Sequence, residues 1–237
     1  IYLVSLIMRT ILTLSLLLFL QPCFAAITVV TENFPNFQYL NENGVLTGTV
    51  VDQVKSGLEK SGLDYELSVN TWSISYNAAL RDSNTCIFSM ARLPSREDKF
   101  TWIARIGGFS ASFYSFKSEQ VKIANIDEAK KYRIAVLKNN YSHIYLKENG
   151  FDERNQLILL DSFDNIYDVL KSRRSSIDLV ILSDEQFKYE RDGDNTLEDL
   201  KPILKLPVGT PQLYFACNKN INPVTLEKLN KGFAAND

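Results

Sequence analysis

The chain is poor in the residues that most site chemistry requires. Among its 237 residues there is one histidine, His143, and there are three cysteines, Cys23, Cys86 and Cys217. A zinc or iron–sulfur centre needs about four closely spaced ligands, so neither is expected. Any histidine-dependent triad would have to use His143. Positive charge is not in excess either: 26 Lys and Arg stand against 28 Asp and Glu, a net charge of −2. Phosphate backbones require clustered Lys and Arg, so nucleic acid is excluded as a partner. With 10 glycines, 7 prolines and 45% hydrophobic residues, the chain is neither collagen-like nor disordered. What remains is a globular chain long enough for one large domain or two small ones, with no cofactor signature.

The one long apolar stretch is N-terminal. Met8-Arg9-Thr10 is followed by an apolar run, Ile11 to Leu20, and then by Gln21-Pro22-Cys23-Phe24-Ala25-Ala26. The run is about half the ~20 residues that span a bilayer. Its flanks are those of a secretory signal peptide, with Cys23 and Ala25 at the −3 and −1 positions. Residues 1–25 are therefore expected to be removed and the remainder exported. Pro22 directly before Cys23 argues against lipid attachment there. Cys86 and Cys217 would then meet an oxidising compartment.

Beyond residue 26, strand and helix patterns alternate. β-branched Ile27–Thr31 predicts a strand. Val50, Val51, Val54, Gly57 and Leu58 share one helical face, with Gly62 as a stop. Tyr65, Leu67 and Val69 alternate as a strand. A helix over Ser73–Leu80, a strand over Cys86–Met90 and an extended piece over Phe100–Ile103 follow. The pattern restarts after Gly107-Gly108, with strands at Ser112–Phe116, Arg133–Leu137, Leu157–Leu160 and Ile177–Leu182. Helices are predicted over Tyr141–Asn149 and Phe163–Leu170. The reading places no element between Leu182 and a late strand at Leu213–Cys217. Asn222-Pro223 then supplies the N-cap and first position of a last helix. Two α/β lobes of about 100 residues each are the natural reading.

Several segments carry a family pattern in order. Phe34-Pro35-Asn36-Phe37 precedes Asn43-Gly44-Val45-Leu46-Thr47-Gly48 and Val51-Asp52. Trp72 precedes Ser89-Met90-Ala91-Arg92-Leu93-Pro94-Ser95-Arg96-Glu97 and Phe100-Thr101-Trp102. Leu170-Lys171-Ser172-Arg173-Arg174 leads to Asp178. In these blocks the chain resembles the bacterial extracellular solute-binding proteins of the polar amino-acid type. That resemblance implies a two-lobed type II periplasmic-binding-protein fold with a ligand cleft between the lobes. The first lobe would be discontinuous, 26–108 and 211–237, with the second, 109–210, inserted. The hinge would run near Gly107-Gly108 and Pro207–Pro211.

The resemblance also implies roles. Arg96 matches the residue that clamps a ligand carboxylate, where a planar fork of donors gives two parallel charge-assisted bonds. Ser89 would add a donor, and Arg92 a second cationic contact or a solvated rim. Phe34 and Trp72 would wall the ligand, whereas Phe37 and Tyr76 read better as core. Asn140, Tyr141 and Ser142 sit where a strand runs into a helix N-terminus, whose free N–H groups suit an anion or a carbonyl. His143, in the same turn, is expected at the surface or as a cap. One departure stands out: at the end of the last lobe-two strand, where family members carry an acid for the ligand ammonium, this chain has Ser183, with Asp184 one residue late. The Gly normally three residues before Asp178 is Ser175. In this fold Cys86 and Cys217 fall on neighbouring antiparallel strands, as a candidate disulfide or as two buried thiols. The function implied is that of a monomeric, non-enzymatic periplasmic protein that captures a small carboxylated solute for a membrane permease. A sensing module for a receptor and a dehydratase-like enzyme are the alternatives on the same fold.

Overall fold

The structure is a computed structural model that describes residues 26–164, 166–194, 197–207 and 209–234; the expected signal peptide, Cys23 included, lies outside them. The chain begins with β1 (Ile27–Glu32), a short hairpin of β2 (Tyr39–Leu40) and β3 (Leu46–Thr47), and α1 (Val51–Ser61). Then come β4 (Tyr65–Asn70), α2 (Trp72–Arg81), β5 (Thr85–Ala91) and β6 (Phe100–Gly108). A second series runs β7 (Ala111–Phe116), β8 (Ile134–Leu137), α3 (Tyr141–Glu148), β9 (Leu157–Leu160) and α4 (Ile166–Ser172). It closes with β10 (Leu179–Ser183), α5 (Asp184–Asp194) and β11 (Leu200–Lys205), after which β12 (Gln212–Asn218) and α6 (Pro223–Phe233) end the described chain.

Two five-stranded sheets result, ordered β4-β1-β5-β12-β6 and β11-β7-β10-β8-β9. Parallel neighbours need crossover connections. Accordingly β1 pairs in parallel with β4 and with β5, through α1 and α2. In the second sheet β8 pairs in parallel with β9 and β10, and β7 runs antiparallel to β10 and β11. The two-lobed α/β class read from the sequence is the architecture present.

Local chemistry accounts for the element ends. Gly62 takes the left-handed conformation (φ 63°) that closes α1. The Asn222 side chain accepts from the Val224 and Thr225 N–H groups, and Pro223 opens α6. Helices α1 and α6 meet through glycine: a Cβ at Gly232 would stand 2.3 Å from the Gly57 carbonyl oxygen. Val54, Leu58, Leu229 and Phe233 are buried around that contact, each contributing roughly 1.5–3 kcal/mol by leaving water. Phe113, Ile134 and Leu146 are fully buried in the second lobe.

Three expectations are corrected. The extended piece at Phe100 continues to Gly108, because it pairs along its length with β12. Helix α4 starts at Ile166, leaving Phe163 in the preceding loop. Helix α5 and strand β11 had no counterpart in the reading. Helix α5 has the polar sequence DEQFKYERDGD, without an apolar stripe to mark it. Strand β11 holds Pro202 and lies at a sheet edge with a bulge beside that residue, which is where a strand tolerates proline.

The chain passes between the sheets twice, after β6 ends at Gly108 and after β11 ends at Lys205. The two passages are tied to each other, with Phe109 N–H donating to Pro211 O (3.1 Å) and Leu206 N–H to Ala111 O (2.8 Å). Cys217 stands opposite Cys86 in the β12–β5 pair, and the two form a disulfide with Sγ–Sγ 2.01 Å. Among the described residues no helix is long and apolar enough to cross a membrane.

Candidate ligand-binding site

Between the lobes, beyond the carboxyl ends of β1, β5, β8 and β10, the chain encloses a cavity. Ligands of open α/β sheets bind outside these strand ends. One wall comes from the first lobe: Glu32, Phe34, Trp72, Ser89 and Arg96. The other comes from the second: Leu137, Asn140, Tyr141, Ser142, Phe163, Ser183 and Gln186. Phe109, in the crossing segment, joins them. The space offers about 60 Å³ to the centres of water molecules, room for a few waters at roughly 10–15 Å³ each.

Arg96 dominates the first wall. It closes a 3₁₀ turn, Pro94–Arg96, directly after β5 and is 1% exposed. Its Nη1 donates to Ala91 O and its Nη2 to Asn139 O, both at 2.7 Å. Its Nε is buried without a partner. The guanidinium packs 5.3 Å from the Trp72 ring and 5.2 Å from the Tyr76 ring. Burial pulls its pKa down to about 10, against the opposing pull of Tyr76 and Glu32, so it stays cationic at neutral pH. The Trp72 indole Nε1 is a second buried donor without a partner.

Ser89 adopts φ 59° within β5, opposite the register shift in β12, a bulge that turns it toward the cleft. Its hydroxyl donates to Gln38 Oε1 at 2.7 Å, while Gln38 Nε2 donates to Glu32 O and so fixes that amide. The cavity therefore meets Ser89 as an acceptor rather than as the donor the resemblance implied. Glu32, unremarked in the sequence, ends β1 and faces the cavity. Burial, and next the charge of Asp164, push its carboxyl up to about 8, with Arg96 pulling the other way.

The second wall is made of helix ends. Asn139 has φ 59°; the Asn140 side chain then caps α3 by accepting from His143 N–H. His143 is buried, not exposed. Its Nδ1 accepts from Asn139 N–H (3.0 Å), which leaves the proton on Nε2, 3.3 Å from Glu153 Oε2. Burial lowers its pKa. Tyr141 meets the edge of Phe109 at 5.5 Å, and burial pushes its phenol up to about 12. Ser183 Oγ accepts from Gln186 N–H (3.0 Å) and so opens α5.

Two candidates stand elsewhere. Arg92 forms a two-bond pair with Glu97 (2.7 and 2.9 Å) and lies over the Trp102 and Tyr214 rings, outside the cavity. Asp184 accepts from the Tyr114 hydroxyl at 2.7 Å and does not line the cavity. Sequence reasoning missed Glu32, Phe109, Phe163 and Gln186. The position of Glu32 at a parallel strand's carboxyl end was its one available signal. Among the described residues no three His, Cys, Asp or Glu side chains group closely enough to hold a metal ion.

Direct contacts join the lobes around the cavity. Asn33 Nδ2 donates to Asp164 Oδ1 (3.1 Å), and the Tyr39 and Tyr189 rings lie 5.0 Å apart. Neither a protein-family model nor a curated protein sequence matches the chain. Solved structures do. A histidine kinase sensor domain described as similar to periplasmic binding proteins superposes with a TM-score of 0.76 over 91% of each chain at 16% identity. The chain has the type II periplasmic-binding-protein fold. The holo form of ArgBP from T. maritima matches that fold with a TM-score of 0.74 over 89% of both chains at 17% identity. An ancestral arginine-binding protein bound to glutamine matches at 0.73, over 90% of this chain and 92% of that one, at 22% identity. In the type II periplasmic-binding-protein fold the cavity described above is the cleft between the lobes.

Proposed function

We propose that the protein is an exported solute-binding protein of the periplasm. It captures a small carboxylated solute, an amino acid or a relative of one, by closing its lobes, and delivers it to a membrane permease. No catalytic step is involved. In this reading Arg96, Trp72, Phe34 and Ser89 meet the solute from the first lobe, and Asn140, Tyr141, Ser142 and Ser183 meet it from the second.

The observation that carries the reading is a pair of buried donors without partners, Arg96 Nε and Trp72 Nε1, on residues that line a cavity between two lobes. An unsatisfied buried donor costs about 1–3 kcal/mol, more when charged. A solute oxygen would remove that cost. Nη2 carries two hydrogens and the Asn139 carbonyl takes one of them, so a carboxylate that takes Nε together with Nη2 shares that nitrogen with Asn139 or displaces it. The cavity is tight for such a solute, so entry requires the lobes to part, as in hinge closure. The likeness to arginine-binding proteins supports an amino acid as the solute class.

The likeness to a histidine kinase sensor domain favours a second reading, in which the loaded form is read by a receptor. Mass spectrometry of small molecules released from the purified protein tests the first reading. A carboxylated solute recovered in stoichiometric amount, which raises the melting temperature when added back, is the expected result. A protein that binds no member of a panel of amino acids, dicarboxylates and short peptides would sink it.

A further inference from the structure

We infer that His143 is a positioning residue for closure of the cleft. Its neutral imidazole holds Asn139 in the conformation that offers a carbonyl to Arg96 across the lobes, so that acid lets the lobes part. This rests on the solute-binding reading above in taking the space between the lobes as the site that closure controls. Arg96 stands in the first lobe and Asn139 in the second. The bond from Arg96 Nη2 to Asn139 O, at 2.7 Å, is shorter than the Asn33–Asp164 link across the same cleft, at 3.1 Å.

Two hydrogen bonds set the direction of that carbonyl. The peptide joining Asn139 to Asn140 turns its N–H to Leu137 O (3.2 Å) and so its carbonyl the opposite way, toward Arg96. The preceding peptide is fixed by His143, whose Nδ1 accepts from Asn139 N–H at 3.0 Å. Between the two, Asn139 takes φ 59°, a left-handed conformation that asparagine tolerates but does not prefer. The ring is itself held. It is buried in the first turn of α3, where the Asn140 side chain accepts from His143 N–H, and its Nε2 lies 3.3 Å from Glu153 Oε2.

Only an unprotonated Nδ1 can accept. An imidazolium donates from both nitrogens, so a proton taken from water onto Nδ1 sets two donors against each other, 3.0 Å apart. The charged groups around the ring are Glu153, from the loop after α3, Lys147, on α3, and Lys138, just after β8. Burial opposes the proton most, and the two lysines add to it; Glu153 favours it but is shared with Lys147 at 2.6 Å. The positive end of the α3 dipole opposes it as well. The conflict is relieved when Asn139 turns away, and Arg96 then loses its partner across the cleft. Parting therefore takes up one proton, and the ratio of open to closed form rises by at most tenfold for each unit that pH falls. Glu32 does not share in this limb, because its carboxyl, pushed up to about 8, already keeps its proton there.

The test is small-angle scattering of the exported chain at pH 7 and pH 5, after refolding from denaturant to remove any carried solute. His143→Asn keeps an oxygen near the place of Nδ1 and cannot titrate. His143→Leu keeps the bulk and loses the acceptor. The expected result is a wild type that is compact at pH 7 and expanded at pH 5, with His143→Asn compact at both and His143→Leu expanded at both. Melting curves at pH 7 show that each protein measured is folded. A wild type of one size at both pH values, a His143→Asn that expands in acid as wild type does, or a folded His143→Leu that stays compact overturns the inference. Should His143→Leu not fold, wild type against His143→Asn decides alone. Scattering needs no solute, so an amino-acid panel that fails to bind would sink the solute-binding reading and not the control of closure.

Discussion

The two walls of the cleft are built on different principles. The first lobe supplies both charged residues that line it, Arg96 and Glu32, together with the Trp72 indole. The second supplies amides and hydroxyls, and several of these already cap their own helices: Asn140 on α3 and Ser183 on α5. The charged wall also sits on the sheet that carries the Cys86–Cys217 bond. Fixed charges discriminate only if the frame does not relax around them, whereas helix ends adapt to what is presented. On the proposed function, the cross-linked lobe would read charge and the lobe with neutral lining would close over it.

The largest effect that bears on this contrast is removal of the disulfide. Replacing both cysteines with alanine frees a span of 131 residues; for loops of this size the chain-entropy account gives a loss of about 5 kcal/mol. Calorimetry should show the first-lobe transition moving down much further than the second. An equal drop in both would mean that the lobes unfold as one unit, and the contrast in stiffness would go. Next comes Arg96→Ala. Charge-assisted hydrogen bonds contribute about 1.5–3 kcal/mol each, so affinity for the best-binding amino acid should fall roughly tenfold or more. A residue that merely faced the cleft would leave folding untouched. Arg96 holds the Ala91 and Asn139 carbonyls, so the melting temperature should drop as well. Arg96→Lys should restore little, since a point charge cannot reproduce a planar fork.

The smallest effect is a divergence with pH. Glu32 has a folded pKa raised from 4.5 to about 8, so its contribution to stability is lost as pH rises through that window. His143 has a folded pKa depressed below 6.5, so its contribution is lost as pH falls below that value. Melting curves should therefore show the cleft weakening toward alkali through the first lobe and toward acid through the second. Glu32→Gln should flatten the first limb and His143→Gln the second. If one substitution flattens both, the two groups are not independent.

Elements with strong local chemistry were legible in the sequence. The β-branched run of β1, the Gly62 stop and the Asn222-Pro223 cap each declare themselves within a few residues. Helix α5 and strand β11 did not, because packing and an edge position, not pattern, stabilise them. The site divides the same way. Arg96, Phe34 and Trp72 were found through motif order, and the structure brings them to one cavity. Arg92 lies four residues before Arg96, but Pro94 and the turn it opens break any shared helical face, and Arg92 pairs outward with Glu97. Asp184 is taken by Tyr114, a partner 70 residues away. What makes Glu32 unusual, its burial in the cleft and the approach of Asp164 from the other lobe, exists only after the lobes meet, so nothing but its place at the end of β1 marks it in the sequence.

The sheet order has a consequence for how the molecule is made. Strand β12 lies between β5 and β6, so these two do not bond to each other and must wait for a partner synthesised after the whole second lobe. Cys86 waits 131 residues for Cys217. A chain that emerges from its N-terminus can therefore complete the inserted lobe while β5 and β6 of its own first sheet still lack the strand that joins them. Unpaired edges invite pairing with other chains, and contacts this distant in sequence form slowly. The interval before β12 arrives is when a nascent copy most needs protection from its neighbours.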